Sequence, residues 1–147
     1  MARKKNDVPP KDRVVGEKTV ALWDKEWRHV EGGYKVYHAD LRHKVGLHRA
    51  VLGSVIMYIG KASEFRRGGG GLAKRLSDFR RDSSSGREHH GGGRIFEHID
   101  VLALEVLHTG SGSEGSDIAE KLRDPMIELH GVPAWNAEAR QRKRRAS

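Results

Sequence analysis

The sequence predicts an α/β fold of the α+β kind: a small three-stranded, mainly antiparallel sheet flanked by helices. Three observations carry this. Two β-prone segments bear tyrosines, Tyr34-Lys35-Val36-Tyr37 and Ser54-Val55-Ile56-Met57-Tyr58-Ile59. A third, Val101-Leu102-Ala103-Leu104-Glu105-Val106-Leu107, lies downstream. Apolar residues recur at helical spacing between and after them, at Leu72, Leu76 and Phe79, then at Ile118, Leu122 and Met126. The order strand, strand, helix, strand, helix packs the helices on one small sheet.

Residues 1–16, with Arg3, Lys4, Lys5 and Pro9-Pro10, read as a flexible basic arm. Residues 17–31 mix Val20, Leu22, Trp23, Trp27 and Val30 with charges, which fits a short amphipathic helix or a strand. Gly32-Gly33 breaks that segment. Tyr34 to Tyr37 then alternates as a strand does. Residues 39–53, with His43, His48, Gly46 and Gly53, read as a loop excursion. Residues 54–59 are apolar on both faces, so this strand is expected at the sheet centre.

Gly68 to Gly71 is a flexible run before an amphipathic helix with a cationic side of Lys74, Arg75, Arg80 and Arg81. Residues 82–94, rich in Ser, Gly and His, read as an exposed loop, and Ile95 to Leu107 as mostly strand. Residues 109–116 form a Gly/Ser loop. Asp117 is placed to cap the last helix. Pro125 either kinks that helix or starts a second one. Gly131 and Pro133 end it. Residues 17–138 thus form one domain, and 139–147 a basic tail.

The chain has 147 residues and no cysteine, which suits one domain without disulfides or thiolate zinc. It lacks an apolar run long enough for a bilayer and a signal peptide, so it is expected to be cytoplasmic, nucleoid-associated and without a membrane partner. The net charge of +8 belongs to the two ends: Arg3, Lys4, Lys5, Arg140, Arg142, Lys143, Arg144 and Arg145. The body between them is neutral. Such ends are usually disordered, and they either bind polyanions or merely solubilise. Within the body, residues 61–94 are predominantly basic and residues 110–139 predominantly acidic, a split that suits a phosphate-gripping half and a metal-binding half.

Four strings carry more. Gly32-Gly33-Tyr34-Lys35-Val36, Tyr58-Ile59-Gly60-Lys61, Leu72-Ala73-Lys74-Arg75-Leu76, and Met126-Ile127 followed by Pro133-Ala134-Trp135-Asn136 resemble, in order, the motifs of the GIY-YIG nuclease superfamily. The likeness spans residues 30–137. It implies a metal-dependent endonuclease that hydrolyses phosphodiester bonds in DNA. RNA stays open as a second substrate, as do repair, restriction and mobile-element roles.

The resemblance also assigns roles. Tyr34 is the general base, its phenol helped by the positive charge of Lys35, Lys61 and Arg75. Tyr58 positions water or phosphate. Arg75 grips the phosphate and stabilises charge in the transition state. Lys74, Arg80 and Arg81 line the nucleic-acid side, and Asn136 orders the site. One divalent ion, Mg²⁺ or Mn²⁺, sits on a single carboxylate. Read without the resemblance, Tyr37 and Trp135 are packing residues, Tyr58 is structural and Arg75, Arg80 and Arg81 are surface charges.

The chain departs from the family pattern in four places, one of them the Gly-rich stretch before the arginine helix, which reads as an insertion. Residues 38–53 separate the two tyrosine segments by about twice the usual number, as an insertion would. Phe79 stands where a tyrosine or histidine is common, which removes an auxiliary base. The apolar pair Met126-Ile127 puts Arg123 at the metal glutamate, whereas Pro133 and Asn136 put Asp124 there. Glu120, three residues before Arg123, is the favoured ligand and Asp124 the alternative. Two rival readings follow: a catalytically weakened nucleic-acid-binding module, and a small basic ribosome- or nucleoid-associated protein. With no second domain, specificity falls to loops 38–53 and 82–94, the basic ends, a homodimer or a partner protein.

Overall fold

A computed structural model describes residues 8–63, 65–66, 69–80 and 90–146. In chain order its elements are β1 (Val14–Val15), β2 (Lys18–Thr19), α1 (Val20–Trp23), β3 (Arg28–Val30), β4 (Lys44–Leu52) and β5 (Val55–Ala62). There follow β6 (Phe65–Arg66), β7 (Gly69–Gly70), α2 (Gly71–Arg80), α3 (His90–Glu97), β8 (Leu102–Ser111), α4 (Gly112–Leu129) and α5 (Ala134–Ala146). The fold is mixed α+β. No helix among the described residues is long and apolar enough to cross a membrane.

The main sheet has four strands in the order β3-β8-β4-β5, and every neighbouring pair is antiparallel. Successive side chains of a strand point to opposite faces, so β4 and β8 feed two cores. On one face Ala50, Leu104 and Val106 pack with Tyr34, Tyr58, Leu72, Leu76, Phe79, Ile95 and Trp135, beneath α2, α3 and α5. On the other, Leu47, Ile59 and Leu107 pack with Val20, Trp23, Leu122, Met126 and Ile127, beneath α1 and α4. The two small ladders, β1-β2 and β6-β7, sit outside this sheet.

Several sequence expectations are corrected here. The sheet has four strands rather than three, and the supposed excursion 39–53 contains its central strand, β4. Histidine and arginine disguised it: Leu47 faces one core while His48 and Ala50 are buried on the other side. Tyr34 to Tyr37 is not a strand. Gly32 and Gly33 both take left-handed backbone, at φ 87° and 58°, and lead into a 3-10 turn over Gly33–Lys35. Tyr37 is 53% exposed and packs in no sheet.

β5 is an edge strand. It is apolar on both faces because helices cover both faces, not because strands flank both edges. Residues 90–97 are helical, so β8 begins only at Leu102. α4 starts at Gly112 instead of Asp117 and passes through Pro125 as one element of 18 residues. The basic tail is helical to Ala146. The N-terminal arm already holds a 3-10 turn over Pro10–Asp12 and strand β1. Residues 1–7, Arg81 and the 82–89 part of the expected loop lie outside the described residues.

Candidate active site

A cleft of about 400 Å³ opens where the end of β5, the start of α2 and the middle of α4 meet; Lys61, Ser63, Lys74, Arg75, Asp78 and Glu120 supply its polar lining. Lys61 reaches it from β5, where it pairs in register with Leu47. Lys74 and Arg75 reach it because Leu72, Leu76 and Phe79 anchor the opposite face of α2 in the core. The seating of α2 requires a glycine at its start. Gly71 has φ 73°, and a Cβ there would lie 2.3 Å from the Lys44 carbonyl oxygen. The helix therefore begins hard against the start of β4.

Glu120 is the carboxylate that the fold delivers to Lys61. The Lys61 ammonium donates to it, and the Ser63 hydroxyl donates to its other oxygen at 2.5 Å. Those two hydrogen bonds hold its carboxyl below the usual glutamate range, with help from the nearby Lys61 and Arg123 charges and against a smaller desolvation effect. Asp124, the alternative ligand, is exposed, bonds to Arg123 Nε at 3.2 Å and does not line the cleft. Asp78, the second acid of the cleft, is engaged by Lys74 at 3.0 Å one turn away.

Behind the cleft lies an aromatic layer. His48 contacts Phe79 at 5.1 Å between ring centroids, and both Tyr34 and Tyr58 at 6.0 Å. Two bare glycines make room for it. A Cβ on Gly60 would lie 2.6 Å from His48 Nε2, and one on Gly91 would lie 2.5 Å from the Tyr58 ring. Arg75 stands 5.4 Å over the Phe79 ring.

Tyr34 is placed differently from expectation. The strand that pairs with β5 is β4, and the residue opposite Gly60 is His48. Tyr34 is fully buried, and its hydroxyl meets His48 Nδ1 at 3.0 Å. Burial pushes its phenol well above the ordinary tyrosine value, and the neighbouring Tyr58 adds to that. A phenol so placed is a poor base. Burial also raises Tyr58, but there the Arg75 and Arg123 charges pull the other way.

The remaining expected residues divide. Asn136 is bonded to the β5 backbone at Ile59. Lys35 instead pairs with Asp100 at 3.1 Å, away from the cleft. Arg80 bonds to Ser77 Oγ at 3.3 Å and does not line the cleft. Sequence reasoning missed His48, Ser63 and the inward influence of Arg123. A signal for His48 was present: Gly46-Leu47-His48 precedes Tyr58-Ile59-Gly60 at the shorter spacing that a tight hairpin needs.

Among the described residues no group of three or more His, Asp or Glu converges as a full metal cage. Glu120 with Ser63 Oγ nevertheless fits a largely hydrated Mg²⁺ or Mn²⁺, which needs only one or two carboxylates and keeps several waters. Glu120 is ionised and about half exposed at the cleft, so it is accessible once Lys61 swings aside. Comparison of the chain with known proteins gives no matching family model, no matching curated protein and no matching solved structure.

Proposed function

We propose that the protein is a metal-dependent endonuclease of the GIY-YIG type that cuts phosphodiester bonds in DNA. One observation carries the reading. Lys61 from β5, Arg75 from α2 and Glu120 from α4 line one cleft, with Tyr58 and its aromatic neighbours behind it. On this reading the role of the first-motif strand moves from residues 32–36 to β4, where Gly46, Leu47 and His48 pair with Ala62, Lys61 and Gly60 of β5.

In this mechanism Arg75 and Lys74 hold the phosphoryl oxygens, and the planar guanidinium of Arg75 matches a pair of them. Glu120 and Ser63 would hold the divalent ion. When bound, that ion offsets negative charge on the leaving oxygen. Tyr58 orients the attacking water from behind the cleft; burial raises its phenol, and the Arg75 and Arg123 charges offset part of that. Of the two phenols Tyr58 is the less strongly raised and the nearer to the cleft cations, while Tyr34 fixes His48 from behind.

Supercoiled plasmid tests this. Nicking is expected with Mg²⁺ or Mn²⁺, not with chelator, and not in Arg75→Ala or Glu120→Gln. Full activity in Arg75→Ala rejects the site. A second reading, a weakened binding module without metal, draws support from the Lys61 ammonium seated on Glu120. Binding of plasmid without cutting under every metal condition selects it.

A further inference from the structure

The final turns of α5 carry Arg140, Arg142, Lys143, Arg144 and Arg145, and no acid follows Glu138. Residues 141–145 are exposed. The other end of this helix is fixed. Asn136 is bonded to Ile59 of β5, Arg94 of α3 donates to Glu138 at 3.0 Å, and Trp135 packs on His98 at 5.1 Å between centroids. The cations therefore stand on a rod whose base lies two residues along β5 from Lys61.

Helical rise places Arg140 to Arg145 about 6–14 Å along the axis beyond Asn136. The step from Ile59 to Lys61 adds about 7 Å.

We infer that α5 is a fixed arm that lies in a groove of duplex DNA and grips the backbone beside the phosphate held in the cleft. Its reach from Lys61 is at most on the order of 20 Å, roughly six base pairs at 3.4 Å each. A groove suits the charge distribution: at about 100° per residue the five cations point to all sides of the helix, and the major groove has phosphates on both walls and admits one helix. A membrane surface does not suit it, since after Asn136 the apolar residues are only Ala137, Ala139 and Ala146. The inference rests on the cleft holding a DNA phosphate.

The test is binding of the full chain to a duplex of thirty base pairs across a salt series, with anionic vesicles of phosphatidylserine as the rival ligand. The triple variant Lys143→Gln, Arg144→Gln, Arg145→Gln is compared with wild type and with Arg75→Ala, after circular dichroism shows equal helix content. The triple variant is expected to lower the slope of log affinity against log salt by about 2.7, which is three phosphate contacts. Arg75→Ala is expected to lower it by about one. An unchanged slope in the triple variant, or wild-type binding to vesicles as tight as to duplex, overturns the arm. Plasmid nicking by the same preparations separates the two ideas. Nicking with an unchanged slope defeats the arm alone; a reduced slope without nicking keeps the arm and defeats the nuclease.

Discussion

Asn136 holds both backbone groups of Ile59: its side-chain oxygen accepts from the Ile59 N–H at 2.9 Å, and its amide nitrogen donates to the Ile59 carbonyl at 2.9 Å. One side chain thus does for the outer edge of β5 what a fifth strand would do. It blunts an otherwise open ladder and fixes the residue between Tyr58 and Gly60.

Asn136→Ala would strand two buried backbone groups, so it should lower stability by about 2–4 kcal/mol in urea unfolding. Asn136→Asp should cost a similar amount, because a carboxylate cannot donate to the Ile59 carbonyl. If aspartate is tolerated at wild-type stability, the two-sided bond is not what anchors α5.

Gly71 and Gly53 separate backbone strain from collision. Both have left-handed φ, but a Cβ on Gly53 meets nothing within 4 Å, whereas one on Gly71 meets the Lys44 carbonyl. Gly53→Ala should cost about 1–2 kcal/mol from conformation alone. Gly71→Ala should cost clearly more and should disturb the seating of Lys74 and Arg75. Equal melting temperatures for the two variants would refute the close approach.

Tyr34 predicts an alkaline loss of stability. Its folded pKa is raised above the unfolded value, so the neutral phenol is the form that the fold favours. That contribution is complete below about pH 10 and disappears as pH climbs toward the higher folded value. Ultraviolet titration should show Tyr34 ionising last of the three tyrosines. Tyr34→Phe should remove this alkaline dependence and, by breaking the bond to His48, cost about 1–3 kcal/mol at neutral pH. An alkaline profile identical in Tyr34→Phe assigns the loss elsewhere.

Lys61→Met frees the Glu120 carboxylate. Mn²⁺ binding, followed by its electron spin resonance signal, should tighten about fivefold if the exposed pair is worth about 1 kcal/mol. Plasmid nicking should fall in the same variant, since one positive charge of the cleft is lost. Weaker Mn²⁺ binding would move the ion away from Glu120.

The parts of this fold that were legible in the sequence are those where one property repeats. α2 announced itself by Leu72, Leu76 and Phe79, and the core of β8 by its run of aliphatic residues. Asn136 and Glu120 were singled out in the sequence, and the fold places Asn136 on the Ile59 backbone and Glu120 in the cleft. β4 was not, because His48 is buried through a bond to Tyr34, and a buried histidine looks like a loop residue until its partner is known. Tyr34 misled for the complementary reason: a tyrosine after two glycines looks like a strand start, but only the left-handed backbone of Gly32 and Gly33 reveals a turn. α3 was hidden by three glycines, one of which exists to clear the Tyr58 ring. For β4 and α3 the missing information was a contact between segments distant in sequence; for Tyr34 it was the local backbone of two glycines.

The ion pairs of the cleft also set its sign before anything arrives. Among the described lining residues Lys61 pairs with Glu120 and Lys74 with Asp78, which leaves Arg75 as the cation without a carboxylate partner there. If the proposed function holds, an arriving phosphate meets that guanidinium rather than a bare carboxylate. The negative charge needed to hold a cation is kept latent until Lys61 finds a better partner, so phosphate and metal would enter as a coupled pair, each raising the affinity of the other.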